Sequence, residues 1–339
     1  MDRAGWQWVT LPPWVGQGAR VNERDAIAAS GGAVHWLHAP GKVRLRAASW
    51  PGAGPPALLL HGRTEFMEKY LDAVAELRAR GHAVWSLDWR GQGRSSRLLP
   101  DPARNHVRSF GDHLDDLDLL LRLVPPGPVL VMGQSMGAHL ALRLAARRPG
   151  RVGRAVLVTP MIDFLRPWHG PLPLIRALGG AAALFGLGGR PAPGTRRAPD
   201  PERAFEDNPL TSCPRRFADD LAWLRDPGLA VGGATWGWLR AAAASIAVLR
   251  RPRFAEALDL PVLMVLAGAE RIVDNAAARA FAARLPRATV LELPGARHEL
   301  LREHDAHQVA FWAAVDSFLS PPPKAGEGVS PGRPSVPRP

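Results

Sequence analysis

The chain has 339 residues, 46% hydrophobic and 22% charged, a balance that allows one large α/β domain or two ordinary ones around a sizeable core. Its net charge of +12 comes almost wholly from arginine, 40 of 43 basic residues, scattered with no basic stripe; this argues against a nucleic-acid partner and leaves weak peripheral contact with an anionic membrane open. A lone cysteine, Cys213, excludes an intramolecular disulfide and a cysteine zinc site, and without a signal sequence or membrane span a cytoplasmic location, or one peripheral to the membrane's inner face, is expected.

Residues 1–40 show no sustained periodicity and read as an N-terminal extension with short helical pieces. Val43–Ser49 alternates as a strand should. Short apolar runs then alternate with helical patterns: strand Ala57–Leu60 and helix Phe66–Arg80, strand Ala83–Leu87 and helix Phe110–Leu123, strand Val129–Met132 and helix Met136–Arg148, then strand Ala155–Val158. Continuous apolar runs between amphipathic helices predict a mostly parallel central sheet with helices on both faces. The rhythm breaks after Pro160. Residues 161–245 are too many for a structureless loop, and with Pro167, Pro171, Pro173, an apolar Leu178–Gly189 and Thr235-Trp236-Gly237-Trp238 they predict an inserted helical cap. Strand Pro261–Ala267, helix Ala276–Leu285, strand Ala288–Leu293 and helix Asp305–Leu319 follow, so the core comprises 41–160 and 246–319. Residues 320–339 hold seven prolines and read as a disordered tail. No metal ligand set, cofactor motif or required protein partner is indicated.

Between strand Val129–Met132 and its helix stands Gly133-Gln134-Ser135-Met136-Gly137. A G-x-S-x-G pentapeptide is cheap by chance in a chain with 34 glycines. Placed at a strand-to-helix turn it reads as a nucleophile elbow, with glycines that let backbone pass close to a strained serine and a helix N-terminus near the reacting atom. Ser135 then needs a late base, and His298 follows the last strand, whereas His304 and His307 fall in or beside the final helix. The base needs a carboxylate to fix its tautomer. Strand Pro261–Ala267 runs into Gly268-Ala269-Glu270-Arg271-Ile272-Val273-Asp274, which offers Glu270 first and Asp274 in reserve. The order serine, acid, histidine is the one this fold requires. Backbone N–H groups of Met136 and of Arg63, in the loop His61-Gly62-Arg63-Thr64-Glu65, are the candidate oxyanion donors. His61 itself reads as structural, holding that loop.

In this order the motifs resemble the α/β-hydrolase superfamily, and within it the bacterial lysophospholipase and monoacylglycerol lipase group, also described as serine aminopeptidase-like hydrolases. The likeness rests on His61–Glu65, on Asp88–Ser95 (D-x-R-G-x-G-x-S), on the elbow, on Glu270–Asn275 and on Gly295–Glu299. Asn208-Pro209-Leu210-Thr211-Ser212 and Thr235–Leu239 look specifically like the lysophospholipase branch. The resemblance covers most of residues 43–319 and implies a Ser-acid-His hydrolase beneath a lid that accepts an acyl chain. It departs in one place: many relatives carry Asp where this chain has Glu270.

Leu172, Leu174, Ile175, Leu178, Leu184 and Phe185 are the candidate acyl-binding residues of the cap, with ordinary packing or bilayer docking as alternatives. A general carboxylesterase remains open, as does a proline-type aminopeptidase, for which Glu202, Glu206, Asp207, Asp219 and Asp220 could hold a substrate amine. The reading outside enzymology is a catalytically silent, lipid-binding protein of the same fold.

Overall fold

The computed structural model describes residues 23–164, 171–195, 202–206 and 208–320, with the side chains of residues 23–25 left aside. A short helix, α1 (Glu23–Ala29), precedes strands β1 (Ala33–Ala39), β2 (Val43–Trp50) and β3 (Gly54–Leu60). Helix α2 (Leu71–Ala79), β4 (His82–Leu87), α3 (Phe110–Leu120), β5 (Val129–Gln134), α4 (Met136–Arg147) and β6 (Val152–Val158) follow. The eight-stranded sheet has the order β1-β2-β4-β3-β5-β6-β7-β8, where β7 is Val262–Ala267 and β8 is Ala288–Leu293. The β1–β2 and β2–β4 pairs are antiparallel and every other pair is parallel.

The central strands carry continuous apolar runs because both faces are covered. On β5, Val129 and Val131 enter the core under α3 and α4, while Leu130 and Met132 enter the core on the opposite side, with α2 and the C-terminal helix. The same division recurs on β3, β6 and β7: Leu58, Leu157 and Met264 lie on one side, and Leu59, Val156 and Val265 on the other. Each such side chain contributes about 1.5–3 kcal/mol when fully buried.

Two expectations need correction. Within residues 1–40, Ala33–Ala39 is a strand of the main sheet, paired along its length with β2; the first 22 residues of that extension lie outside the described residues. The single helix expected over Phe66–Arg80 is a 3-10 turn, Met67–Tyr70, followed by α2. That turn is held from outside, because Met67 N donates to Asp88 Oδ1 at 3.0 Å and Glu68 grips Arg46 through both carboxylate oxygens.

Between β6 and β7 lie α5 (Leu172–Leu184), α6 (Pro214–Leu224) and α7 (Trp236–Leu249), the last continuing unbroken past residue 245. Helices α8 (Asn275–Ala282) and α9 (Asp305–Leu319) complete the fold. The proline-rich tail from Pro321 onward lies outside the described residues. No helix among the described residues is long and apolar enough to cross a membrane.

Candidate active site

The turn from β5 into α4 explains both glycines of the elbow. A Cβ on Gly133 would stand 2.6 Å from Ala138 N, and one on Gly137 would stand 2.1 Å from Leu60 O, so only glycine lets α4 begin against the end of β3. Between them Ser135 adopts φ 52° and ψ −111°. A non-glycine residue so placed costs about 1–3 kcal/mol and must be held there by its surroundings. Its N–H donates to Val158 O at 2.8 Å, and its carbonyl accepts from His139 N at 3.1 Å and Met161 N at 3.2 Å. Ser135 Oγ makes no hydrogen bond among the described residues, a looseness common in free enzymes.

His298 is brought to this turn through its backbone. Its carbonyl accepts from Gln134 Nε2 and from Thr159 Oγ1, both at 2.8 Å, and Gln134 is the residue before the serine. The imidazole Nδ1 is 2.8 Å from Glu270 Oε2, with both side chains almost fully buried. Glu270 Oε1 in turn accepts from Ile272 N at 2.7 Å, Arg271 N at 2.9 Å and Val273 N at 3.2 Å. Burial pushes the Glu270 carboxyl upward, but His298 and these backbone donors outweigh it and hold the group below its ordinary value. Burial likewise pulls the His298 imidazole down, yet the Glu270 charge and hydrogen bond leave it raised. The reserve acid, Asp274, is engaged elsewhere, capping α8 by accepting from Ala277 N at 3.0 Å.

In the loop after β3 the backbone donors on either side of Arg63 are taken. Gly62 N is taken by Glu65 Oε2 and Thr64 N by Gln92 Oε1, each at 2.5 Å. Arg63 N–H, between them, has no partner among the described residues, and neither has Met136 N–H at the first position of α4. His61 braces the loop, its Nδ1 2.8 Å from Gly62 O while Trp89 Nε1 donates to His61 O at 2.9 Å. Complete burial lowers its pKa to about 4, so it stays neutral. The Asp88–Ser95 motif lies below as scaffold: Asp88 accepts from Arg46 and from Arg94 N, and a Cβ on Gly93 would strike its carboxylate at 2.2 Å.

Several functional contacts are invisible in the sequence. Asn208–Ser212 straps the histidine loop: Pro209 O accepts from His298 N at 3.3 Å, Leu210 O from Glu299 N at 2.7 Å, and Arg297 Nη1 donates to Asn208 O at 2.9 Å. Beneath the strap Lys69 pairs with Glu299 at 2.7 Å and with Asp220 of α6 at 3.4 Å. Burial and the adjacent Glu299 push Glu65 up to about 7 against the pull of Lys69. Among the six acyl-binding candidates, Leu172 and Ile175 are buried, whereas Leu174, Leu178, Leu184 and Phe185 are exposed. No cluster of three or more His, Cys, Asp or Glu side chains suited to a metal ion occurs among the described residues.

The profile of the family described as "Serine aminopeptidase, S33" matches residues 57–305. The chain belongs to this family. Like other members it is built on the α/β-hydrolase fold, and the proteins it resembles include lipid hydrolases. It is 33% identical over 274 residues to lysophospholipase L2 of Escherichia coli K12, covering 76% of this chain and 78% of that protein. It is 28% identical over 278 residues to a monoacylglycerol lipase of Mycolicibacterium smegmatis, covering 79% and 91%. Among solved structures, a soluble variant of monoglyceride lipase from Saccharomyces cerevisiae superposes with a TM-score of 0.65 at 17% identity, over 85% of this chain and 95% of that one. A carboxyl esterase from Bacillus coagulans gives 0.69 at 16% identity, over 85% and 98%. At these identities the structural likeness establishes the fold.

Proposed function

We propose that this chain hydrolyses carboxylic esters of single-chain lipids, lysophospholipids or monoacylglycerols, through an acyl-enzyme. The observation that carries the reading is the buried His298–Glu270 pair, tied by the His298 carbonyl to the turn that holds Ser135 strained. Ser135 Oγ attacks the ester carbonyl as His298 takes its proton, and the oxyanion is met by the N–H groups of Arg63 and Met136. His298 returns the proton to the departing alcohol, then activates the water that releases the fatty acid. The chemistry needs no cofactor, nucleic acid or second protein. The named relatives support the lipid substrate.

The aminopeptidase alternative needs carboxylates free to hold an amine. Asp220 is paired with Lys69 and with Arg302 at 3.1 Å, Asp219 lies 3.9 Å from Arg302, and Glu202 and Glu206 are exposed; Asp207 lies outside the described residues. A substrate panel tests this. Long-chain lysophospholipids and monoacylglycerols should exceed acetate esters and prolyl peptides in kcat/KM by about tenfold or more, a ratio that even one added methylene contact in an apolar pocket can supply. A maximum at acetate or at a prolyl peptide would overturn the lipid reading.

We also propose that the described part of residues 161–245 caps the site, with α5 as a peripheral contact with anionic membrane at the inner face. Leu172, Ile175 and Gly179 of α5 turn inward, where a Cβ on Gly179 would stand 2.7 Å from Arg240 Cβ of α7. Leu184 and Phe185 face outward, 89% and 79% exposed, on a stretch (171–190) without an acidic residue and with Arg176 and Arg190 exposed. Leu184→Ser with Phe185→Ser should weaken co-flotation with phosphatidylglycerol vesicles about tenfold or more, given about 1.5–3 kcal/mol per buried side chain. Turnover of vesicle-borne lipid should fall further than that of a soluble ester. Undiminished flotation would remove α5 from this role.

A further inference from the structure

The Arg63 side chain has a position that its backbone role does not explain. Its Nη1 is shut off from solvent and has no hydrogen-bond partner, and no ion pair reaches the guanidinium among the described residues. Other buried arginines of this protein are matched by carboxylates: Arg46 by Glu68 and Asp88, Arg90 by Asp116, Arg302 by Asp72 and Asp220. The carboxylate nearest to Arg63 in sequence, Glu65, is committed to Gly62 N and Tyr70 OH, each at 2.5 Å. Burial disfavours the charged form of Arg63, and Glu65 offsets this only in part.

A second orphan lies against it. The Arg63 guanidinium sits 5.2 Å from the centroid of the Trp238 ring, and Trp238 Nε1 is also buried without a partner. Trp238 is fixed on α7 by edge contact with Phe110 at 5.8 Å and by Phe164 at 6.4 Å, so the ring face it offers the guanidinium is held in place. Two adjacent unpaired donors, one cationic, need an acceptor that carries negative charge. As a residue Arg63 is half-buried, not sealed within the core.

We propose that the Arg63 side chain, oriented by Trp238, receives the phosphate of a monoacyl glycerophospholipid. This rests on the lipid-ester reading above and narrows it, since a neutral monoacylglycerol has nothing to offer this cation. In such a substrate only a glycerol unit separates the ester from the phosphate. In this binding mode the residue whose N–H meets the reacting carbonyl extends its own side chain toward the headgroup. The planar guanidinium fork matches two phosphate oxygens, which a lysine ammonium does not.

The test compares kcat/KM for palmitoyl-lysophosphatidylcholine and monopalmitoylglycerol in the same neutral detergent. In Arg63→Gln the ratio of the two should fall about 10- to 100-fold, the span of a charged hydrogen bond, and mainly through KM. Arg63→Lys should fall between that variant and the wild type. Independently of turnover, glycerophosphocholine should bind the wild-type protein by titration calorimetry and lose that binding in Arg63→Gln, with both variants keeping the wild-type thermal midpoint to within a few degrees. An unchanged ratio, or glycerophosphocholine binding that is absent or indifferent to Arg63, overturns the proposal. Arg63-dependent binding with no hydrolysis of either lipid by the wild type would sustain the anion site and overturn the hydrolase reading instead.

Discussion

Replacement of Ser135 by alanine is expected to lower kcat on a medium-chain chromogenic ester by about a million-fold, the loss seen when the nucleophile of a serine triad is removed. The fold should survive. Ser135 Oγ makes no hydrogen bond among the described residues, and the hydrogen bonds that lock this position run through its backbone to Val158, His139 and Met161. The thermal midpoint should therefore barely move. Ser135→Gly sharpens the point, because glycine accepts φ 52° without strain and should recover part of the ~1–3 kcal/mol stored there. One variant would thus be inactive and more stable than the parent, as expected where a strained site trades stability for activity. A fluorophosphonate probe provides the complementary readout, labelling the wild type and neither variant. If Ser135→Ala keeps a substantial fraction of turnover, the serine is not the nucleophile. If the wild type is neither active nor labelled, the silent lipid-binding alternative takes its place.

The central sheet is legible in the sequence because its strands are buried on both faces, which forces continuous apolar runs such as Val129–Met132 and Val262–Ala267. β1 is not, because polar and aromatic side chains interrupt its apolar face. Trp36 and His38 face outward while His35 lies half-buried on the other face, so the run has no clean apolar period, and it is defined by pairing with β2. The 3-10 turn at Met67–Tyr70 reads as helix because its composition suits one, and the contacts that override it come from Arg46 and Asp88, distant in sequence. At the site, chain order singles out Ser135 and His298 as candidates, since the strand ends fix where loops can meet, but it leaves Glu270 and Asp274 both open as the acid; the 2.8 Å contact of Glu270 with His298 is what separates them. What order cannot reveal is which atoms lack partners. Arg63 is one arginine among 40 in sequence; what marks it out is its place, a buried and unpartnered Nη1 beside Trp238, whose Nε1 is unpartnered too. The strap at Asn208–Ser212 is visible as a likeness but not as a clamp, because its partners are carbonyls and amides of the histidine loop, which carry no side-chain signature.

Glu270 and Asp274 lie four residues apart after β7, and their separate replacement should give opposite results. Glu270→Gln keeps the size of the side chain but removes the charge that orients His298 Nδ1 and stabilises its imidazolium. The expected loss in kcat is about 10³- to 10⁴-fold, as for a triad left with the wrong tautomer. Asp274→Ala removes the cap of α8 and should cost about 1 kcal/mol of stability while turnover is kept. The pH profile adds a sign. With His298 as the proposed neutral base, kcat/KM should rise with pH through its pKa, and because Glu270 holds that pKa raised, the acid limb of the wild type should lie above the ordinary imidazole value. In Glu270→Gln the raising charge is gone and burial, which opposes the imidazolium, prevails. The limb should then move to lower pH even as the plateau falls. A purely structural carboxylate would lower the plateau and leave the limb where it was. A full loss in Asp274→Ala with an active Glu270→Gln would transfer the acid to the helix cap, against the 2.8 Å contact that joins Glu270 to His298.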